Sequence, residues 1–168
     1  IAKVVLDSMS KDLGLRVNLT KGVPLGGLGS SAASAAACVR ALDEMFDLRL
    51  GSNDLVRLAA YGEAASAGVA HFDNAAAAIL GGFVIVSQEP FRLARFKPPT
   101  NLEIAVAIPK IKLPKEKTKT MRRMLPRTVD LNHVTLNVAN ASLMVAGMAL
   151  FDIQMLGKAM SDLIVEPV

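Results

Sequence analysis

A dense run of glycine, serine and alanine between Lys21 and Ala37 constrains this chain more than any other segment. Three glycines fall within four positions, at 26, 27 and 29, and they let the backbone adopt turns that other residues avoid. Two serines and a series of alanines follow, and alanine is the strongest helix former. The order predicts a loop over residues 21–29 that leads directly into a helix over 30–47.

The start of this predicted helix is suited to phosphate. The first N–H groups of a helix lack partners within it and carry a partial positive charge, so they attract anions. Small side chains let a phosphate approach the backbone, and the hydroxyl of Ser30 or Ser31 could bind a phosphate oxygen or Mg²⁺. The alternative is a glycine-rich turn before an ordinary core helix, but the density of the run favours phosphate binding. The spacing fits neither a Walker A loop nor the dinucleotide fingerprint.

Composition narrows the class of protein. The 168 residues are 52% hydrophobic, which is ample for a core, and the net charge is +4. Without tryptophan and with one tyrosine, the chain lacks the aromatic surface of single-stranded nucleic-acid binders. No apolar run approaches the roughly 20 residues of a membrane span, so we expect no membrane partner. Cys38 is the only cysteine, which excludes an internal disulfide and fits a reducing, cytoplasmic location. The N-terminus lacks the layout of a signal peptide and begins in mid-pattern, as a fragment would.

Hydrophobic periodicity predicts the remaining elements. Helices are predicted over 2–13, 52–67, 131–150 and 152–164, with a helical turn over 121–125. Strands are predicted over 15–20, 83–87 and 102–108, and residues 91–96 could pair with 83–87 as a hairpin. Two consecutive prolines at 98 and 99 mark a boundary between two units.

Polar residues behind the loop could complete a site for phosphoryl transfer. Glu63 lies inside the predicted helix 52–67, and with Ser31 it could hold Mg²⁺, which prefers carboxylate and phosphate oxygens. His71, Asp73 and Asn74 form a compact run directly before a further helix, which suits capture of a small polar ligand. Each residue also has an ordinary alternative. Glu63 could be a surface carboxylate, His71 could be structural, and Asp73 or Asn74 could simply cap the helix.

Two adjacent arginines, Arg122 and Arg123, face different sides of any helix. One of them could clamp a carboxylate or a phosphate. The sequence leaves open which of the two makes this contact.

The loop from Pro24 to Ala32 resembles the second motif of the GHMP kinases, in which a proline and a short linker precede Gly-Leu-Gly-Ser-Ser-Ala. It is one residue shorter than in many members. The run Glu…His-x-Asp-Asn…Gly-Gly and the stretch from Thr118 to Pro126 are similar to the homoserine kinase branch of this family. The resemblance covers nearly the whole chain, although the first and third family motifs are absent.

The resemblance implies an α+β, two-lobed GHMP kinase fold that is incomplete at both ends. Residues 1–97 would belong to the N-terminal, ATP-binding lobe with its left-handed βαβ crossover, and 98–168 would begin a ferredoxin-like C-terminal lobe. The implied reaction is ATP-dependent phosphorylation of the side-chain hydroxyl of L-homoserine, in threonine biosynthesis. Another small alcohol, such as mevalonate, shikimate or a sugar, and a non-catalytic fragment are the alternatives. The resemblance is compatible with a homodimer.

The resemblance also implies a role for each site residue. Glu63, His71, Asp73 and Arg122 would bind the amino acid, and Ser31 with Glu63 would hold Mg²⁺. Glu63, Asn74 and Arg122 would be the catalytic residues, although an asparagine cannot act as a general base. The residues that would cradle the phosphates of ATP are Pro24, Leu25, Gly26, Gly27, Leu28, Gly29, Ser30, Ser31 and Ala32.

Overall fold

The computed structural model describes residues 2–8, 13–22, 27–67, 69–107 and 123–167. The chain divides into two units, Ile1–Phe96 and Lys97–Val168. The first unit contains α1 (Ala2–Ser8), α2 (Ser30–Phe46), α3 (Ser52–Ala67), α4 (Phe72–Leu80), β1 (Phe83–Gln88) and β2 (Phe91–Phe96). The second unit contains α5 (Leu131–Leu150) and α6 (Ile153–Ala159).

The core of the first unit is built from helices α2, α3 and α4. Val39 and Val56 are its largest fully buried side chains. Most of the other buried members are alanines, which let the helices pack closely. The core cluster consists of Ala35, Ala36, Val39, Leu55, Val56, Ala59, Ala60, Ala75 and Ala76. The helices predicted over 30–47 and 52–67 are therefore confirmed.

A β-hairpin covers one side of this core. Strands β1 and β2 pair antiparallel, with Phe83 opposite Phe96 and Gln88 opposite Phe91. Alternate residues point to one face of a strand, and those of one face pack against the core. These residues are Val84, Val86, Phe91 and Leu93. Arg95 Nε donates to the carbonyl oxygen of Gly81 at 2.9 Å, which fastens the hairpin to the end of α4.

The connection between α2 and α3 is held by a buried carboxylate. Asp43 accepts a hydrogen bond from the backbone N–H of Leu50 at 3.0 Å and lies 3.5 Å from a guanidinium nitrogen of Arg40. After α2 the backbone turns through left-handed conformations at Asp47 (φ 48°) and Arg49 (φ 54°). These contacts set where α3 begins, and α3 carries Glu63.

Two of the predicted strands are wrong. Residues 15–20 and 102–107 form no β-ladder, and their apolar residues Val17, Leu19, Ile104 and Val106 are exposed. Alternation of apolar and polar residues predicts a strand, but a strand also needs a neighbour that supplies backbone hydrogen bonds. Within the described ranges, the only strands that pair are β1 and β2. Residue 108 lies outside the described residues.

Two predicted helices are shorter than their periodicity indicates. The first is helical over Ala2–Ser8, and Leu13 lies outside it. The last one ends at Ala159, because a polar cluster draws the following residues into a turn. In that cluster Asp162 Oδ1 accepts from Asn137 Nδ2 at 2.8 Å and from the N–H groups of Ile164 at 2.8 Å and Val165 at 3.0 Å. These hydrogen bonds, those of Val165 and Ile164 first and then that of Asn137, lower the pKa of Asp162.

Helix α5 is confirmed as the helix predicted over 131–150, and it is strongly apolar. An 18-residue stretch of the helix has a mean hydropathy of 1.3, so by length and composition alone the helix could cross a membrane. Of this stretch, 11% is buried. Polar residues such as Asn137 and Asn140 interrupt its apolar sequence. One such helix is weak evidence and does not indicate a membrane protein.

The packing of α5 on α6 depends on a glycine. A β-carbon at Gly147 would lie 2.9 Å from Leu156 Cγ and 3.1 Å from the carbonyl oxygen of Asp152. We therefore expect Gly147→Ala to lower the free energy of unfolding by about 1–3 kcal/mol through overpacking. The control is Gly157→Ala in α6, where a β-carbon meets nothing within 4 Å. That change should instead stabilise the helix by roughly 0.5–1 kcal/mol.

Denaturant unfolding of both variants, followed by circular dichroism, measures these differences. Equal stabilisation by the two alanines would contradict the close contact between the helices.

Candidate active site

The glycine-rich loop meets helix α2 at a residue in the left-handed conformation. Gly29 has φ 68° and ψ 21° and immediately precedes Ser30, the first residue of α2. Its carbonyl oxygen accepts the first helical hydrogen bond, from Ala33 N at 2.8 Å. Only glycine adopts this conformation without strain, so the loop needs glycine here. Gly27 also has a positive φ, of 94°.

The first turn of α2 presents a polar and open surface. Ser30 is half-buried, Ser31 is exposed and Ala32 is fully buried in the protein interior. The Ser34 hydroxyl donates to the Ser30 carbonyl oxygen at 2.9 Å. Residue 29 has no side chain to cap the helix, so a phosphate could take that place. Pro24, Leu25 and Gly26, the other predicted cradle residues, lie outside the described residues.

The polar run at 71–74 forms the start of α4. His71 is the N-cap residue, and Asp73 and Asn74 lie in the first turn of the helix. The prediction that all three residues precede the helix is wrong for Asp73 and Asn74, because α4 begins at Phe72. The alternative in which Asp73 or Asn74 caps the helix is wrong for the same reason. Asp73 is exposed, whereas Asn74 is half-buried.

Glu63 is buried next to His71. Only 5% of Glu63 is exposed, and its Oε1 lies 3.5 Å from His71 Nδ1. The alternative of a surface carboxylate at this position is therefore wrong. Burial of a carboxylate is costly unless polar or charged neighbours compensate, so a buried acidic residue beside a histidine is a candidate for function.

The loop and the polar run meet at Asn74. A β-carbon placed on Gly29 would lie 3.5 Å from Asn74 Oδ1 and 3.8 Å from its Cγ. The start of α4 therefore lies close to Gly29, the residue that precedes α2. The same helical turn begins at His71, the neighbour of Glu63. The N-termini of two helices and a buried carboxylate thus lie in one region of the first unit.

Other predicted site residues have no described partner. Arg122 lies outside the described residues, and Arg123, its alternative, is exposed. The side chain of Asp73 makes no hydrogen bond or ion pair with the residues that the structure describes. The same residues contain no group of three or more His, Cys, Asp or Glu side chains that could hold a metal ion. A Mg²⁺ ion here would therefore need phosphate oxygens among its ligands.

A small cavity next to the first turns of α2 did not follow from the sequence. It has a volume of about 120 Å³ and lies between residues 19–22 and one face of the helix. The residues on that face are spaced three or four apart, as on one side of a helix. Their small side chains are the sequence signal that could have predicted the cavity. The lining residues are Leu19, Thr20, Lys21, Gly22, Ser30, Ala33, Ser34 and Ala37.

Comparison with known proteins identifies relatives along nearly the whole chain. Residues 1–82 match the model of the GHMP kinases N terminal domain. The chain is 37% identical over 170 residues to a homoserine kinase from Methanococcus maripaludis strain C5, which covers 99% of this chain and 55% of that relative. It is 39% identical over 165 residues to a homoserine kinase from Pyrobaculum neutrophilum, with 97% and 55% covered.

A solved structure has the same fold. The crystal structure of homoserine kinase from Cytophaga hutchinsonii matches with a TM-score of 0.81 and 31% identity, covering 98% of this chain and 52% of that chain. The match confirms the predicted α+β class and the partial GHMP kinase fold. The left-handed crossover and the ferredoxin-like second lobe stay predictions. The chain spans about half the length of the curated relatives that it matches. Its similarity is therefore to the N-terminal domain of the GHMP kinases over residues 1–82 and to about half of each homoserine kinase along nearly the whole chain.

Proposed function

We propose that the protein containing this chain transfers the γ-phosphoryl group of ATP to the side-chain hydroxyl of L-homoserine, giving O-phospho-L-homoserine. The observation that carries the proposal is that Asn74, beside the Glu63–His71 pair, is the side chain nearest to the place of a β-carbon at Gly29. This proximity supports a site in which a helix start that would bind phosphate lies next to residues that would bind an amino acid. The relatives named homoserine kinase support the choice of acceptor. The reaction would belong to threonine biosynthesis in the cytoplasm, and the enzyme is compatible with a homodimer.

The nucleotide would bind at the start of α2. The backbone N–H groups of the first turn would donate to phosphate oxygens, and the exposed Ser31 hydroxyl would add a further hydrogen bond. Phosphoryl transfer requires little covalent chemistry from the protein, so catalysis would consist mainly of positioning and charge neutralisation.

The acceptor would bind near the start of α4. Glu63 and Asp73 would attract the ammonium group of homoserine, His71 would help to orient it, and Arg122 would bind its carboxylate. Asn74 would lie close to the reacting groups. Since the amide of Asn74 cannot accept a proton from the hydroxyl, we assign it no role as a general base.

Magnesium fits the donor set of this site only in combination with ATP. Glu63 and Ser31 supply the oxygen ligands that Mg²⁺ prefers, and the nucleotide phosphates would supply more. When bound, the ion would neutralise charge on the transferring phosphoryl group. Glu63 and Ser31 would hold the ion, and Glu63 would also face the acceptor.

An acceptor panel tests the proposed reaction. ADP release from Mg·ATP is measured for this chain and for the full-length protein with L-homoserine, mevalonate, shikimate and a sugar. We expect the full-length protein to prefer L-homoserine. A stronger response to mevalonate, shikimate or the sugar would contradict the homoserine assignment and leave only the assignment to the GHMP kinase class. No response with any acceptor would indicate a protein that has kept the fold and lost turnover.

Glu63→Gln tests the proposed metal ligand. The change keeps the shape of the side chain and removes its charge. It should lower kcat at least about tenfold, or ~1.4 kcal/mol of transition-state stabilisation, and raise the Mg²⁺ concentration required. The control is Glu44→Gln, at an exposed glutamate of α2, which should leave both unchanged. If Glu63→Gln keeps the turnover and the Mg²⁺ dependence of the wild type, Glu63 is not a ligand of the metal ion.

A further inference from the structure

Three aromatic side chains meet at the start of α4, and the proposed function uses none of them. The ring of Phe72 packs edge-on against Tyr61 of α3, with ring centroids 5.6 Å apart and planes at 83°. The same ring packs against Phe91 of β2, at 5.8 Å and 64°. We call Tyr61, Phe72 and Phe91 the aromatic cluster.

The aromatic cluster holds the first residue of α4 from two other elements. Edge-to-face packing at these centroid distances is an attractive arrangement of two rings. The guanidinium carbon of Arg57 lies 4.4 Å from the centroid of Phe91, which adds a cation–π attraction between α3 and β2. Phe72 and Phe91 also pack against the core cluster of the first unit. The ring of Phe72 is therefore fixed by α3, by β2 and by the core.

Phe72 lies between two residues that the proposed function assigns to the acceptor. On one side His71 precedes the helix, and its Nδ1 lies 3.5 Å from Glu63 Oε1. On the other side Asp73 is exposed in the first helical turn. Helix α3 thus contacts the start of α4 twice, through Glu63 and through Tyr61. Since neighbouring residues share a backbone, fixing the ring of Phe72 also sets where these two polar side chains begin.

We propose that Phe72 is a positioning residue, whose ring, held between Tyr61 and Phe91, sets the places of His71 and Asp73 toward the acceptor. The inference rests on the proposed kinase function and assigns part of its acceptor binding to apolar side chains that do not touch the acceptor. Such placement matters because a misplacement of about 1 Å can cost about 100-fold in rate. The nucleotide would bind at α2, so its affinity should depend little on the aromatic cluster.

Leucine substitutions at two matched ring pairs separate this role from a general loss of stability. Phe72→Leu removes both ring contacts and keeps an apolar side chain. The control is Phe96→Leu, because Phe96 packs edge-on against Phe83 at 6.3 Å and 61°, at the opposite end of the hairpin from Phe91. In the full-length protein, KM for L-homoserine is measured by ADP release and stability by denaturant unfolding. Calorimetry gives the affinity for a non-hydrolysable ATP analogue with Mg²⁺.

We expect both variants to unfold at a lower denaturant concentration than the wild type, but only Phe72→Leu to raise KM for homoserine, by about tenfold. The affinity for the analogue should stay within about twofold in both. An unchanged KM in Phe72→Leu, or an equal rise in Phe96→Leu, would overturn the inference. If Phe72→Leu does not fold, Tyr61→Leu and Phe91→Leu allow the same comparison, since each removes one ring contact of Phe72.

A double-mutant cycle tests whether Phe91 acts through Phe72. Phe91→Leu changes no residue next to the proposed acceptor site, and we expect it also to raise KM for homoserine. Its effect should not multiply with that of Phe72→Leu, because both changes break the same ring contact. A double variant whose KM equals the product of the two single effects would contradict the proposed action through Phe72.

The imidazole of His71 gives a readout that does not depend on turnover. Its ¹⁵N resonances, assigned with the help of His71→Gln, report the hydrogen bonding of the ring. They should shift in Phe72→Leu and stay in place in Phe96→Leu. If the wild-type protein does not phosphorylate homoserine, the proposed function fails, and these resonances still decide whether Phe72 positions His71. Unshifted resonances in a folded Phe72→Leu protein would overturn the inference whatever the acceptor.

Discussion

Replacing Gly29 with valine should abolish measurable ATP binding in the full-length protein. Gly29 has φ 68°, a conformation in which a β-branched residue is strained. The β-carbon would lie 3.5 Å from Asn74 Oδ1, and the two methyl groups of valine would extend beyond it. The loop and the first turn of α2 would have to move, and a phosphate could no longer approach the backbone. We expect affinity to fall at least about 100-fold, which is ~2.7 kcal/mol.

The control for this substitution is Gly14→Val. A β-carbon at Gly14 meets nothing within 4 Å, and the residue lies outside the loop. Calorimetry with Mg·ATP should give wild-type affinity for Gly14→Val. If the folded Gly29→Val protein binds ATP as well as the wild type, the glycine-rich loop is not part of the nucleotide site.

The second large effect concerns the charges that select the acceptor. Homoserine carries an ammonium and a carboxylate, and the proposal pairs them with Asp73 and Arg122. A hydrogen bond to a charged group contributes roughly 1.5–3 kcal/mol, so losing one should lower kcat/KM about 10- to 150-fold. Asp73→Asn and Arg122→Ala should each show this loss for homoserine, while affinity for ATP changes little.

Matched substitutions show whether the effect belongs to these two residues. Asp54→Asn also removes an exposed aspartate from the first turn of a helix, α3, and should have little effect. Arg123→Ala should be mild. An uncharged alcohol should be a poor substrate and insensitive to all four changes. Greater sensitivity at Arg123 than at Arg122 would exchange the roles of the two arginines and leave the substrate assignment intact.

Local patterns predicted most of the first unit. The alanine-rich segment could only be a helix, and helix α3 and the hairpin follow from their periodicity and turn residues. The glycine run also identified the start of α2 as a candidate phosphate site. These features depend on residues close together in the chain, which is why the sequence alone was sufficient.

Contacts between distant residues were harder to predict. The alternation at 15–20 and at 102–108 resembles a strand, but neither residues 15–20 nor residues 102–107 pair with a described neighbour. Helix α6 ends early because Asp162 binds the backbone of the next turn, which no periodicity reveals. The burial of Glu63 and the proximity of Asn74 to Gly29 depend on how α2, α3 and α4 pack. The sequence indicated these residues as candidates but not their neighbours.

The central claim is that this fold serves a kinase that phosphorylates a side-chain hydroxyl of an amino acid. The most direct measurement follows the phosphoryl group itself, by ³¹P nuclear magnetic resonance of the full-length protein with Mg·ATP and L-homoserine. We expect the signal of the γ-phosphate to be replaced by that of a phosphate monoester, with spin coupling to the protons of the side-chain carbon. Release of inorganic phosphate alone, or no loss of ATP, would contradict the account.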